Sequence, residues 1–126
     1  MIVDQDTVLL RNGKPFFPLG IYHVSGKGQE LENAADLGFN LFQFWSWDVN
    51  ADNLKRLAAK DVGIIWEGQA WGRAARIPSA TSANDPRVLA ELEIMRKAAA
   101  ELKDNPTLAM WYVADEPPAS QLPVLR

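Results

Sequence analysis

Short apolar runs alternate with amphipathic segments along this chain, and that alternation restricts the fold more than any other feature. Pro18–Tyr22, Asn40–Phe44, Gly63–Trp66 and Leu108–Ala114 read as buried strands. Between the first two, Gln29–Leu37 carries Leu31, Ala34, Ala35 and Leu37 at helical spacing and meets Gly38, a residue suited to the C′ position. Asn50 or Asp52 caps a second helix running to about Lys60, with Leu54, Leu57 and Ala58 on one face. Asp85-Pro86, a cap followed by an N1 proline, opens the longest helix. Its inward stripe is Val88, Leu92, Met95, Ala99 and Leu102, and Asn105-Pro106 ends it. Such continuous apolar strands, separated by amphipathic helices, predict an α/β fold with a parallel sheet covered by helices. Ahead of the first strand, Val8-Leu9-Leu10 and Pro15-Phe16-Phe17 flank Asn12-Gly13, which predicts a hairpin over Thr7–Phe17 with a type I′ turn.

The first three strands recur at a spacing of about 22 residues, tight for a βα unit. At 126 residues the chain is long enough for one core, and no linker or low-complexity tract divides it, so a single domain over 1–126 is expected. Ser120–Arg126 reads as the opening of a further helix. A closed eight-stranded barrel needs about 250 residues. The expected architecture is therefore a partial (β/α)8 barrel: its first four βα units, a fragment, preceded by the hairpin.

Charge and residue usage exclude several functions. A net charge of −3 without any polybasic run argues against nucleic acid or an anionic membrane as partner. Cysteine is absent, so disulfides, thiolate ligands and a thiol nucleophile are excluded. His23 is the single histidine, and with no cysteine beside it no metal site is expected. Ser25-Gly-Lys-Gly lacks the spacing of a phosphate-binding loop, and nothing matches a dinucleotide fingerprint, so no cofactor is expected. The N-terminus lacks the basic and apolar regions of a signal peptide, a pattern common to cytoplasmic proteins and processed secreted ones. No apolar run approaches the ~20 residues that span a bilayer.

Chemistry-bearing residues collect at predicted strand ends, where (β/α) proteins keep their sites. The fourth strand ends in Asp115-Glu116-Pro117-Pro118, and prolines cannot donate to a ladder, so both carboxylates stand at a loop mouth. Desolvation and the neighbouring Asp115 both favour the protonated form of Glu116, which suits a general acid; the other reading is a pair of solvated loop acids. Glu67 ends the third strand, either as a second carboxylate facing Glu116 or as a single polar residue contacting substrate hydroxyls. Carboxylates ~5–5.5 Å apart suit retaining glycoside hydrolysis and ~6.5–9.5 Å suit inversion. His23 follows the first strand, and Asn40, Gln43 and Asp48 straddle the second. Gln43 is either a satisfied core amide or a substrate contact. Gly68–Asn84 is a long polar loop on the Glu116 side that carries Trp71, Arg73 and Arg76. The five tryptophans, Trp45, Trp47, Trp66, Trp71 and Trp111, lie in or just after strands, where they pack a core or stack on flat faces such as sugar rings.

Three segments together resemble the N-terminal half of the (β/α)8 barrel of clan A glycoside hydrolases, the set that includes β-galactosidases, β-mannosidases and cellulases. They are Asn12-Gly-Lys-Pro-Phe-Phe-Pro-Leu-Gly, Leu37-Gly-Phe-Asn-Leu-Phe-Gln and Lys103-Asp-Asn-Pro-Thr-Leu-Ala-Met-Trp-Tyr-Val-Ala-Asp-Glu-Pro. In that family the third ends in Asn-Glu-Pro, and its Glu is the acid/base. The resemblance implies a retaining hydrolase of O-glycosidic bonds in a poly- or oligosaccharide, with Glu116 as acid/base and His23 and Trp45 contacting sugar. Two positions depart from the family: Asp115 replaces the usual Asn, and Gln43 stands where many members have Arg. The family's nucleophile comes from a seventh strand, outside this chain, so the isolated chain is expected to be inactive. The alternative is a non-catalytic carbohydrate-binding or half-barrel scaffold in which Asp115 and Glu116 only bind hydroxyls. A half barrel leaves open sheet edges, so self-association is also expected.

Overall fold

A computed structural model describes residues 2–68 and 84–112. The chain divides into two compact units, Met1–Trp66 with Pro106–Met110, and Glu67–Asn105 with Trp111–Arg126. The described elements form a mixed α/β fold with one antiparallel and one parallel sheet.

In the first unit, β1 (Ile2–Val3), β2 (Leu9–Arg11) and β3 (Lys14–Pro15) form the antiparallel sheet, in the register Ile2↔Leu10 and Leu10↔Pro15. The hairpin expected around Asn12-Gly13 is present. Both residues have positive φ, 53° and 74°, as a type I′ turn demands, and Gly13 takes this conformation without a Cβ penalty. β1 was not expected. A polar turn carries it: the Asp4 carboxylate accepts from the Asp6 and Val8 amides at 3.0 and 2.8 Å.

The parallel sheet has the order β4-β5-β6-β7, built from β4 (Gly20–Ile21), β5 (Leu41–Trp45), β6 (Gly63–Glu67) and β7 (Leu108–Tyr112). β4 is shorter than the expected Pro18–Tyr22. Asn40 explains the shortening at its start: the side chain accepts from Leu19 N–H at 2.8 Å and donates to Phe17 O at 3.0 Å. An amide side chain thus occupies main-chain groups that a longer ladder would use. The expected ends of the last strand, residues 113 and 114, lie outside the described residues.

Helices α1 (Glu30–Asp36) and α2 (Ala51–Ala59) follow β4 and β5 and pack against each other. Gly38 takes the expected C′ place after α1, at φ 95°. Asn50 caps α2, accepting from the Asn53 amide at 2.9 Å. The core follows from the pleat. Phe42 and Phe44 share one face of β5, Ile64 and Trp66 the corresponding face of β6, and all four are at most 3% exposed. Leu31, Ala34 and Leu57 bring the apolar stripes of α1 and α2 into burial. On the other face, the Arg11 guanidinium binds Asp61 through its carbonyl and carboxylate and lies over the Phe16 ring. This ties the hairpin to the start of β6.

In the second unit, α3 (Pro86–Leu102) starts where Asp85-Pro86 placed it. The Asp85 carboxylate accepts from the Arg87 amide at 2.9 Å, and Pro86 fills the first turn, where no amide donor is needed. Val88 and Leu102 of the expected stripe are buried, and Leu92, Met95 and Ala99 between them are half-buried. None of the helices among the described residues is long and apolar enough to cross a membrane.

Candidate functional site

The C-terminal ends of β4 and β5 carry a contiguous aromatic surface. The Tyr22 and His23 rings stack at 5.6 Å, His23 meets Trp45 edge-on at 4.4 Å, and Trp45 stacks on Trp47 at 4.7 Å with only 9° between planes. Tyr22 and Trp47 are 65% and 62% exposed. Aromatic rings of this size normally gain several kcal/mol from burial, so two left open at the ends of one series of touching rings are an unusual surface.

Local structure explains how four rings come together. Trp45 ends β5, and the chain turns immediately: Asp48 N–H donates to Trp45 O at 2.9 Å, which folds Trp47 back over Trp45. The turn is pinned to the start of α2, because Asp48 O accepts from the side-chain amides of Asn50 and Asn53 at 3.1 and 2.8 Å. His23 follows β4 at φ 65°, in the left-handed region. For a residue with a Cβ this costs of order 1–3 kcal/mol and persists only where surrounding contacts over-determine it. The Trp45 indole N–H is buried and has no hydrogen-bond partner among the described residues, a further local cost of about 1–3 kcal/mol.

The loop between β4 and α1 is held from α2. Arg56 uses all five of its N–H groups. Nε and Nη2 bind the two Glu32 oxygens at 2.7 Å each, Nη1 binds Gly26 O at 2.9 Å and Asn53 Oδ1 at 2.8 Å, and Nη2 also binds Gly28 O at 2.6 Å. Gly26 itself is required by close approach: a Cβ there collides with the Asn53 side-chain amide. The Arg56 fork, with the Glu32 amide, holds the Glu32 carboxyl down at about 2, from 4.5. A depressed carboxyl contributes stability that is present above pH 4.5 and lost as pH falls towards 2. Asp85, held at about 2 by Arg87, titrates in the same window. Glu32→Gln is therefore expected to flatten, without abolishing, the loss of stability below pH 4.5, read from urea midpoints of both proteins at successive pH values.

The structure brings together two of the residues singled out from sequence, His23 and Trp45. Gln43 sits in mid-strand on β5, 6% exposed, on the same face as Trp45. Glu67 ends β6, half-buried, on the face that also carries Gly63 and Ile65. Asp115, Glu116 and Trp71 lie outside the described residues, as do Arg73 and Arg76. Among the other tryptophans, Trp66 is core at 3% exposure and Trp111 is partly exposed on β7. Asn40 is a structural stitch at the start of β5, and Asp48 shapes the turn through its carbonyl. The sequence offers Trp47, with the other strand-end tryptophans, as core packing or a stacking face, and assigns no role to Tyr22. The available signals were a Trp-x-Trp spacing across a strand end and an aromatic preceding the histidine. No cluster of potential metal ligands occurs among the described residues. Comparisons with family models, curated proteins and solved structures returned no match.

Proposed function

We propose that the chain is the first half of a (β/α)8 glycoside hydrolase barrel, with Glu116 as general acid/base and the aromatic surface as its sugar-stacking face. The observation that carries this reading is the Tyr22–His23–Trp45–Trp47 surface at the C-terminal ends of adjacent parallel strands. Sugar rings have apolar C–H faces and polar rims. The open Trp47 indole offers a partner to the faces, and the exposed His23 imidazole one to the rims. The consecutive strand order β4-β5-β6-β7 supports a singly wound barrel, because doubly wound sheets reverse direction at a switch point. Glu116 enters through its sequence context alone, four residues beyond the end of β7. In this reading the substrate is a poly- or oligosaccharide, hydrolysis proceeds with retention, and the nucleophile lies outside this chain.

Trp47→Ala tests the stacking face. At 62% exposure Trp47 contributes little to the core, so the melting temperature should stay nearly unchanged. Affinity for soluble β-linked tetrasaccharides of glucose, mannose or xylose, measured by calorimetry, should fall about tenfold or more for whichever of them the wild type binds. Equal affinity in the two proteins overturns the assignment of the aromatic surface to sugar.

A further inference from the structure

We infer that Arg56 is a positioning residue for the aromatic surface: its fork fixes the loop after β4 and thereby holds His23 edge-on against Trp45. The consequence for sugar binding rests on the proposed function; the positioning itself does not.

His23 sits in the left-handed region between two anchors. Before it, β4 is held by parallel pairing, Gly20↔Leu41 and Ile21↔Phe42. After it, the loop has little regular structure of its own, and two of its carbonyls, Gly26 O and Gly28 O, are taken by the Arg56 guanidinium. Those carbonyls lie three and five residues beyond His23. Glu32 completes the clamp by accepting a two-point bond from the same guanidinium, and Glu30 adds a bond from Ser25 N–H at 3.1 Å. Gly26 is pressed against Asn53, which also binds the carbonyl of Asp48 in the Trp45–Asp48 turn. One short stretch of α2, Asn53 to Arg56, thus references both loops that carry the rings. Its Arg56 member needs a planar fork: one cation reaches a carboxylate in two places and three further acceptors at fixed angles. Lysine keeps the charge and most of the stem but cannot make this pattern.

The single histidine gives a direct reporter. At 4.4 Å from Trp45 and 5.6 Å from Tyr22, the His23 imidazole protons experience ring currents that displace them from random-coil positions in proton NMR. No other imidazole signal competes. In Arg56→Lys, compared with wild type at one fixed pH without ligand, those signals should move at least halfway back to random-coil positions, while the amide spectrum stays dispersed. Gly26→Ala displaces the same loop by a different route and should give the same His23 response, which keeps the test available if Arg56→Lys fails to fold. Unchanged His23 signals in a folded variant overturn the inference, because a merely structural ion pair would lower the melting temperature without moving this ring. Tetrasaccharide affinity should fall about tenfold alongside the spectral change. If the wild type binds none of the tetrasaccharides, the sugar reading fails, and the His23 signals alone still decide the role of Arg56.

Discussion

Phe44→Ala is expected to remove about 3–5 kcal/mol from the unfolding free energy, the largest stability loss of any single change considered for this chain. Phe44 is 0% exposed and lies on the covered face of β5 with Phe42, also at 0%. Both faces of the strand are buried, so no solvent can fill the space that the ring leaves. Pairing within the parallel sheet fixes the strand backbone around the cavity, so collapse into it is limited. Small domains hold only about 5–15 kcal/mol in total, so the variant should sit near the edge of folding. Urea denaturation checks this: the midpoint should drop sharply, with the slope unchanged if the unfolded ensemble is unaffected. A shift under 1 kcal/mol would mean that Phe44 is not part of a close-packed core.

The parts of the fold legible in sequence are those decided by local pattern. The Asn12-Gly13 turn, the Asn50 and Asp85 caps and the Gly38 end of α1 each depend on residues within a few positions of one another, and each is found where the sequence places it. β5 and β6 were legible because a strand buried on both faces has to be apolar almost throughout. What escaped was long-range. β4 is shortened by Asn40, an amide 21 residues from the Leu19 amide it accepts from. Arg56 drew no notice in sequence because its partners are a carboxylate 24 residues away and a main-chain carbonyl 30 residues away, and a carbonyl leaves no trace in residue identity. Tyr22 and Trp47 look like ordinary strand-end aromatics until the turn at Asp48 folds one indole onto another. The site is therefore legible as residue types, and its geometry is set by polar stitches that sequence pattern does not report.

Glu116→Gln is expected to cut turnover of an unactivated oligosaccharide by about 10²–10⁴-fold in the polypeptide that supplies the second carboxylate. Gln has nearly the shape of Glu and accepts the same hydrogen bond at its carbonyl oxygen, but it cannot deliver a proton to the departing glycosidic oxygen. A carboxyl that only binds a hydroxyl should respond differently, with affinity weakened and turnover at saturation little changed. Leaving-group chemistry sharpens the distinction. A dinitrophenyl glycoside departs without protonation, so its first step should survive Glu116→Gln, whereas the second step, in which the same carboxylate removes a proton from water, should slow. The variant should then show a burst of dinitrophenol followed by slow turnover, as the glycosyl-enzyme accumulates. A first step slowed equally on activated and unactivated substrates, with no burst, would remove Glu116 from the acid/base role. Retained sugar binding with no hydrolysis even in the wild type would favour the non-catalytic reading, in which Asp115 and Glu116 only contact hydroxyls and the Trp45–Trp47 stack supplies the affinity. Kinetics on the two substrate classes thus separate a proton donor from a hydroxyl ligand at the same carboxylate.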